Sequence, residues 1–259
     1  MSMLKIKRFI FITRFRLIFN YLFFSYRINF LNRKNLIRYI FIIGPESLGI
    51  VLLTACFIGI VFTLQIVKEF LYLNVSSSIG AILSLAFIRE LAPVLTTVIL
   101  TGKIGSSFAA ELATMKVTEQ IDALYLLRVE PIFYLVFPRL IACLLMLPCL
   151  NVIFLFTSLS SSIFTCSIFY NIHPSIFLYS VFIALSIKDF IKSITKTIVF
   201  SFIIIIVSCL FGLTVEGGSK SVGQATTSSV VFILLLVFIL DCILTYVLFN
   251  QVGSIIKSI

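Results

Sequence analysis

Arg89 and Glu90 stand side by side in LAFIRELAPVL (85–95), a stretch whose other residues suit a lipid environment. Nineteen uncharged residues precede the pair and twelve follow it. A charge near the centre of a bilayer is costly unless it faces a polar cavity or a partner group. The pair therefore predicts either a polar path through the membrane, in which Arg89 contacts a phosphate, or an ion pair that fixes the packing of helices.

A second group of charges lies in IKDFIKSITK (187–196). The spacings of three, four and seven residues place Asp189, Lys192 and Lys196 on one face of a helix. We expect Asp189 and Lys196 to be neighbours of the first pair. Asp241 lies in the last apolar stretch and also needs a partner, which the sequence does not identify.

The sequence contains no set of residues that fits catalysis, a cofactor or a metal site. The six cysteines stand singly in apolar runs without the spacing of metal ligands, and His173 is the only histidine. No nucleophile has a base nearby. GGSKS (217–221) is not a phosphate loop, because Gly218 stands where that motif requires lysine. This stretch therefore does not predict nucleotide binding by the chain.

The composition predicts an all-α integral membrane protein, since 61% of the 259 residues are hydrophobic and only 12% are charged. About five spans are expected, at 47–68, 80–101, 132–160, 190–213 and 226–249. Residues 140–187 carry no formal charge, so 163–187 could form a further span or only dip into the membrane.

The N-terminal region is strongly basic, with nine of the twenty Lys and Arg in residues 1–38. Basic and apolar residues alternate there, which predicts a helix lying in the membrane interface over residues 1–40. Such charge marks the cytoplasmic or equivalent side of the membrane. It does not indicate nucleic-acid binding, because no polar module surrounds it. Residues 41–259 are expected to form a single domain.

One segment between the spans is too charged to cross a bilayer. Residues 102–127 read GKIGSSFAAELATMKVTEQIDALYLL and have a helical period. This pattern predicts a helix at about 103–124 that lies outside the hydrocarbon, on the same side as the N-terminus.

The stretch RELAPVLTTVILTGKIGSSFAAELATMKVTEQIDAL (89–124) resembles the MlaE-type permease family of ABC lipid transporters. Shorter similar stretches are EPIFYLVFPRLIACLLMLPCL (130–150), KDFIKSITKTIVF (188–200), GGSKSVGQATTSSVV (217–231) and LDCILTYVLF (240–249). The family includes bacterial phospholipid permeases, a plastid inner-envelope permease and a red-algal plastid reading frame. The codon usage implied by many Phe, Ile, Asn and Lys favours the plastid-encoded red-algal member.

The resemblance implies a homodimeric permease that moves phospholipid or a related lipid. Two separate ATPase subunits would bind the ATP, and an MCE-domain protein would bind the substrate. The location would be the plastid inner envelope, with a bacterial inner membrane as the alternative. A secondary transporter or channel, or an intramembrane enzyme, are the competing functions.

The resemblance also suggests roles for particular residues. Residues 103–124 would be a coupling helix on the cytoplasmic or stromal face. Its expected contacts with the ATPase are Glu111, Met115, Thr118, Glu119 and Asp122. The expected residues of the lipid pathway are Arg89, Glu90, Asp189 and Lys196.

Overall fold

A computed structural model describes residues 33–73 and 78–249, which are helical throughout apart from short turns and contain no strand. The helices are α1 (Arg33–Ile43), α2 (Pro45–Tyr72), α3 (Ile79–Val117), α4 (Gln120–Leu126), α5 (Ile132–Tyr170), α6 (Pro174–Ala184), α7 (Ile187–Leu213) and α8 (Ser219–Phe249). The predicted all-α membrane fold is confirmed. Most of the predicted interfacial region at 1–40 lies outside the described residues.

Among the described residues, five helical stretches are long and apolar enough to cross a membrane. They are α1 with α2 (Arg33–Tyr72), α3, α5, α7 and α8. Each begins or ends beyond the limits expected from hydropathy. The largest difference is in α3, which continues as a helix to Val117, whereas the sequence suggested separate helices at 80–101 and 103–124. No proline stands between Thr101 and Val117 to end the helix there.

Residues 163–187 do not form a further span. The helix α5 continues to Tyr170, and Asn171 then adopts a left-handed conformation with a φ of 51°. The following helix α6 has 11 residues, which at about 1.5 Å each cover roughly half of the ~30 Å hydrocarbon core. It packs against the start of α3, where Gly80 lets the backbone of Phe177 approach closely.

Two of the long helices contain a widened π turn just before a proline. In α3 the π turn covers Phe87–Leu91 and precedes Pro93, and in α5 it covers Ile132–Val136 and precedes Pro138. Proline has no backbone N–H and its ring clashes with the carbonyl four residues earlier. A wider turn relieves that clash. Such turns occur often at functional sites, and the one in α3 contains Arg89 and Glu90.

The chain divides into two compact units. In the first unit are the described residues up to Glu46, together with Leu100–Met146 and Phe200–Val237. In the second are Ser47–Ile99, Leu147–Val199 and the described residues from Phe238 onward. Each unit contains one cluster of buried charge, and the two clusters are described separately below.

Small side chains set the helix packing within the second unit. The buried stripe of α2 recurs every fourth residue and consists of Ser47, Val51, Ala55, Gly59, Thr63 and Val67. At its middle, a Cβ atom on Gly59 would lie 2.5 Å from the backbone oxygen of Ser158 on α5. Small residues allow helix backbones to approach closely in a membrane, where lipid supplies no hydrophobic drive for association.

Candidate functional site

The second unit contains a buried lysine that joins three helices. Lys196 of α7 has no exposed surface. Its Nζ donates to Oε2 of Glu90, Oδ1 of Asp241 and the backbone oxygen of Arg89, each at 2.9 Å, and to Oγ1 of Thr245 at 2.8 Å. An ammonium group has three hydrogens, so these four oxygens share them. The Thr245 hydroxyl in turn donates to Oε1 of Glu90 at 3.0 Å.

Pro93 explains why the backbone oxygen of Arg89 is among the acceptors of Lys196. In a regular helix the carbonyl of Arg89 would accept from the N–H of residue 93, but proline has none. A carbonyl left without its donor in an apolar setting costs free energy comparable to a lost hydrogen bond. Lys196 supplies the replacement donor. The RELAP motif therefore places a charge pair and a carbonyl that cannot accept from residue 93 within one turn.

Arg89 pairs with the other end of the charged stripe on α7. Its Nε donates to Oδ1 of Asp189 at 3.1 Å, and its Nη2 lies 3.1 Å from the same oxygen without the geometry of a hydrogen bond. Asp189 is also fixed by Ser186, whose hydroxyl donates to Oδ2 at 2.6 Å and accepts from the Asp189 backbone N–H at 3.3 Å. This reciprocal arrangement caps the start of α7 and orients the carboxylate toward Arg89.

An aromatic ring completes this group. Phe249 lies within cation–π distance of three cations, Lys192 at 4.8 Å, Arg89 at 5.0 Å and Lys196 at 5.5 Å. We call the whole group the intramembrane charge cluster, and it consists of Arg89, Glu90, Asp189, Lys192, Lys196, Asp241, Thr245 and Phe249. Its three carboxylates match its three cations.

The four predicted pathway residues thus lie together, but their accessibility differs. The side chain of Glu90 is 39% exposed and that of Arg89 is 25% exposed, whereas Lys196 is wholly enclosed. Lys196 holds its neighbours in place, and Arg89 and Lys192 are the partly exposed cations that an anionic ligand could reach. A role in a lipid pathway stays a prediction for all four.

The sequence singled out Asp241 without naming its partner, and it did not single out Thr245 or Phe249. These three residues lie on α8 at positions 241, 245 and 249, so the spacing of four residues placed them on one face. That spacing was a usable signal, because Asp241 is the only charge in its apolar stretch.

The first unit contains a second buried cation, Arg139 of α5, which sequence reasoning also did not single out. Its Nη2 lies 2.9 Å from Oε2 of Glu111 and donates to the Tyr39 hydroxyl at 3.1 Å. The guanidinium lies 5.1 Å from the ring centre of Tyr39 and 5.0 Å from that of Phe108. Arg139 is the only formal charge in residues 131–187, which could have identified it.

The five residues expected to contact an ATPase fall into two groups. Glu111 is bound to Arg139, and Met115 is partly buried. Thr118, Glu119 and Asp122 are exposed around the turn between α3 and α4. Asp122 pairs with Lys116 at 2.9 Å.

Glu119 has a left-handed backbone with a φ of 59°. This conformation is uncommon for a residue other than glycine. It ends α3 and redirects the chain into α4.

Five helices long enough to cross a membrane and the charge in RELAP indicate a membrane protein with a polar site. Comparison with known families shows which family it belongs to. Residues 36–247 match the family described as "Permease MlaE". The chain belongs to the MlaE permease family. This match covers all five long helices, and the resemblance inferred from the sequence is confirmed.

Several proteins of this kind are similar to the chain over most of its length. It is 57% identical over 223 residues to the "Probable ABC transporter permease protein ycf63" of Pyropia yezoensis, which covers 86% of this chain and 85% of that protein. It is 48% identical over 224 residues to a "Probable ABC transporter permease protein" of Synechocystis, with coverages of 86% and 85%.

A chloroplast protein of Arabidopsis thaliana is similar as well. It is named "Protein TRIGALACTOSYLDIACYLGLYCEROL 1, chloroplastic" and is 44% identical over 215 residues, which cover 83% of this chain and 61% of that protein. The long apolar helices make this MlaE permease an integral membrane protein, and its similarity to red-algal and chloroplastic proteins indicates a plastid envelope.

Proposed function

We propose that this MlaE permease is the transmembrane subunit of an ABC transporter that moves phospholipid or a related lipid. Relatives named as ABC transporter permeases support this, because a permease of that class works with a subunit that hydrolyses ATP. The chain itself would have no ATPase site and no enzymatic activity. Its tasks would be to bind lipid and to respond to the ATPase.

The intramembrane charge cluster is the observation that carries the proposal. Lys196 binds Glu90 and Asp241, and Asp189 binds Arg89 on its Nε side. The guanidinium therefore remains at the accessible edge of a group whose carboxylates are already neutralised. A phosphate or another anionic headgroup could approach Arg89 there without displacing a buried ion pair. A guanidinium suits this task because it stays charged and donates hydrogen bonds to phosphate, and with Nε on Asp189 and Nη2 buried beside it, Nη1 is the nitrogen left to donate.

The ATPase would dock on the turn formed by Thr118, Glu119 and Asp122. All three are exposed and polar, and the long helix α3 leads directly into them. A rigid helix that ends in a polar surface suits the transmission of force from a separate subunit. The homodimer and the MCE-domain partner are further parts of this proposal and follow from the resemblance to the family.

Affinity purification in mild detergent tests the proposal. We expect the tagged permease to copurify with an ABC ATPase, an MCE-domain protein and bound phospholipid or galactolipid, identified by mass spectrometry. Recovery of the permease without any ATPase, under conditions that preserve other membrane complexes, would contradict it. Transport by the purified chain alone would favour a secondary transporter or channel.

A further inference from the structure

Arg139 is an unusual residue to find wholly enclosed in a membrane helix. Within the described part of the chain, Glu111 is its only ion partner, the Tyr39 hydroxyl accepts a hydrogen bond from it, and the weakly accepting thiol of Cys209 lies beside it. Its Nε and Nη1 atoms are buried without a hydrogen-bond partner. The rings of Tyr39 and Phe108 flank it and contact each other edge to face at 5.7 Å.

The buried Arg139–Glu111 pair is not expected to contribute much to the free energy of folding. Burying an ion pair costs desolvation energy that its attraction often does not recover, and replacement by apolar residues of similar size is often neutral or stabilising. The two unsatisfied nitrogens add to that cost. A buried pair can instead specify one geometry, since the cation accepts few other positions.

The geometry that Arg139 specifies is that of the last turns of α3. Glu111 and Phe108 both lie there, and Tyr39 brings in α1. Thr118 follows Glu111 by seven residues, which is two helical turns, so both lie along the same side of that segment. One guanidinium therefore joins α1 and α5 to the segment that ends at the exposed turn.

We propose that Arg139 is a positioning residue that passes movement of the end of α3 to α5 during transport. The inference rests on the proposed function, because it assumes an ATPase docked at the Thr118–Asp122 turn. When the ATPase moves that turn, Glu111 moves with it and pulls on a cation that is anchored in α5. Loss of Arg139 would leave the ATPase bound and active but would weaken its effect on lipid movement.

Arg139 and Glu111 differ in how much their replacement should destabilise the protein. The side chain of Glu111 is 42% exposed, so it can be hydrated when Arg139 is removed. The converse change leaves a charged guanidinium buried without a counterion, which is strongly destabilising. Arg139→Met is therefore the informative variant, and Lys220→Met is its control because Lys220 is exposed and lies outside the docking turn.

The test reconstitutes the permease with its ATPase in liposomes and measures lipid transferred per ATP hydrolysed. For Arg139→Met we expect normal copurification with the ATPase, ATP hydrolysis within twofold of wild type, and a transfer ratio at least tenfold lower. The Lys220→Met control should keep the wild-type ratio. A wild-type ratio in Arg139→Met would overturn the proposal.

A second variant covers the case in which Arg139→Met does not accumulate. Arg139→Lys keeps the charge, but a lysine ammonium is not planar. It cannot both bind Glu111 and stack between two rings as the guanidinium does. It should lower the transfer ratio severalfold, and an unchanged ratio would equally overturn the proposal. If the wild-type chain recruits no ATPase, the proposed function fails instead, so the two failures are distinguishable.

Discussion

The Nζ atom of Lys196 lies 2.9 Å from Oε2 of Glu90, although 106 residues separate the two in the sequence. Because Asp241 lies at the same distance from that Nζ, one buried cation pairs with two carboxylates. The three side chains belong to α7, α3 and α8, so the contact fixes three membrane helices at one point. Its removal should affect both stability and transport.

The first prediction concerns that cation. Lys196→Met leaves Glu90 and Asp241 close together without a counterion and removes the donor to the Arg89 carbonyl. We expect it to destabilise the protein by about 3 kcal/mol, at the low end of the cost of breaking a buried pair because Glu90 is partly exposed. Asp241→Asn should cost less, since Lys196 keeps Glu90. Thermal unfolding in detergent measures both.

Lys188→Met is the matched control for that variant. It makes the same substitution one residue into the same helix, at an exposed position. It should leave the unfolding temperature unchanged. Equal losses for Lys188→Met and Lys196→Met would show that the contacts of Lys196 are not responsible.

The second prediction separates two roles of Asp189. Asp189→Asn weakens the ion pair with Arg89, whereas Ser186→Ala removes the cap of α7 and one hydrogen bond to Oδ2 but keeps the carboxylate charge. Loss of a cap costs about 1 kcal/mol. Ser186→Ala should therefore lower stability slightly and leave ATP-dependent lipid transfer near wild type, whereas Asp189→Asn should reduce transfer about tenfold. If both variants lose transfer equally, the carboxylate acts through the cap and not through Arg89.

The third prediction uses two glycines of α2. Gly59→Ala places a methyl group 2.5 Å from the Ser158 backbone oxygen, so the two helices must separate. Overpacking of this kind costs about 1–3 kcal/mol. Gly49→Ala adds the same group where nothing lies within 4 Å, and it should be neutral or slightly stabilising. A similar unfolding temperature for the two variants would contradict the close approach of α2 and α5.

The fourth prediction concerns the exposed turn after α3. Glu119→Lys reverses a charge but keeps a side chain that tolerates the left-handed backbone about equally, so the fold should be unchanged. We expect at least a fivefold loss of copurifying ATPase. Glu130→Lys reverses the charge of an exposed residue beyond α4 and serves as the control. Normal ATPase recovery with Glu119→Lys would show that Glu119 is not part of the docking surface.

Glu111 is unsuitable for this test, because its change also disturbs Arg139.

Much of the fold followed from composition, because runs of about twenty uncharged residues have few alternatives to a membrane helix. The residues at which the helices begin and end could not be predicted from composition. A helix can continue past its apolar stretch at little cost, and hydropathy does not report the continuation of α3 to Val117. The short helix α6 was equally ambiguous, because its apolar composition is the same as that of a span.

For the site, helical spacing brought Asp189 and Lys196 onto one face and the cost of buried charge predicted that they would meet Arg89 and Glu90. The π turn at Phe87–Leu91 could not be predicted, since it depends on how Pro93 is accommodated. Arg139 could have been, because it is an isolated charge in an apolar run. Its partner Glu111 was assigned to a different task because it also lies on a polar segment.

The most direct test of the account is ATP-driven lipid transfer by the purified permease–ATPase complex in liposomes, measured with a fluorescent phospholipid. We predict that transfer requires hydrolysable ATP, that it ceases when the ATPase is omitted, and that Arg89→Ala lowers it at least tenfold while the complex still assembles. Transfer that continues without the ATPase or without nucleotide, or that is unchanged in Arg89→Ala, would contradict the account.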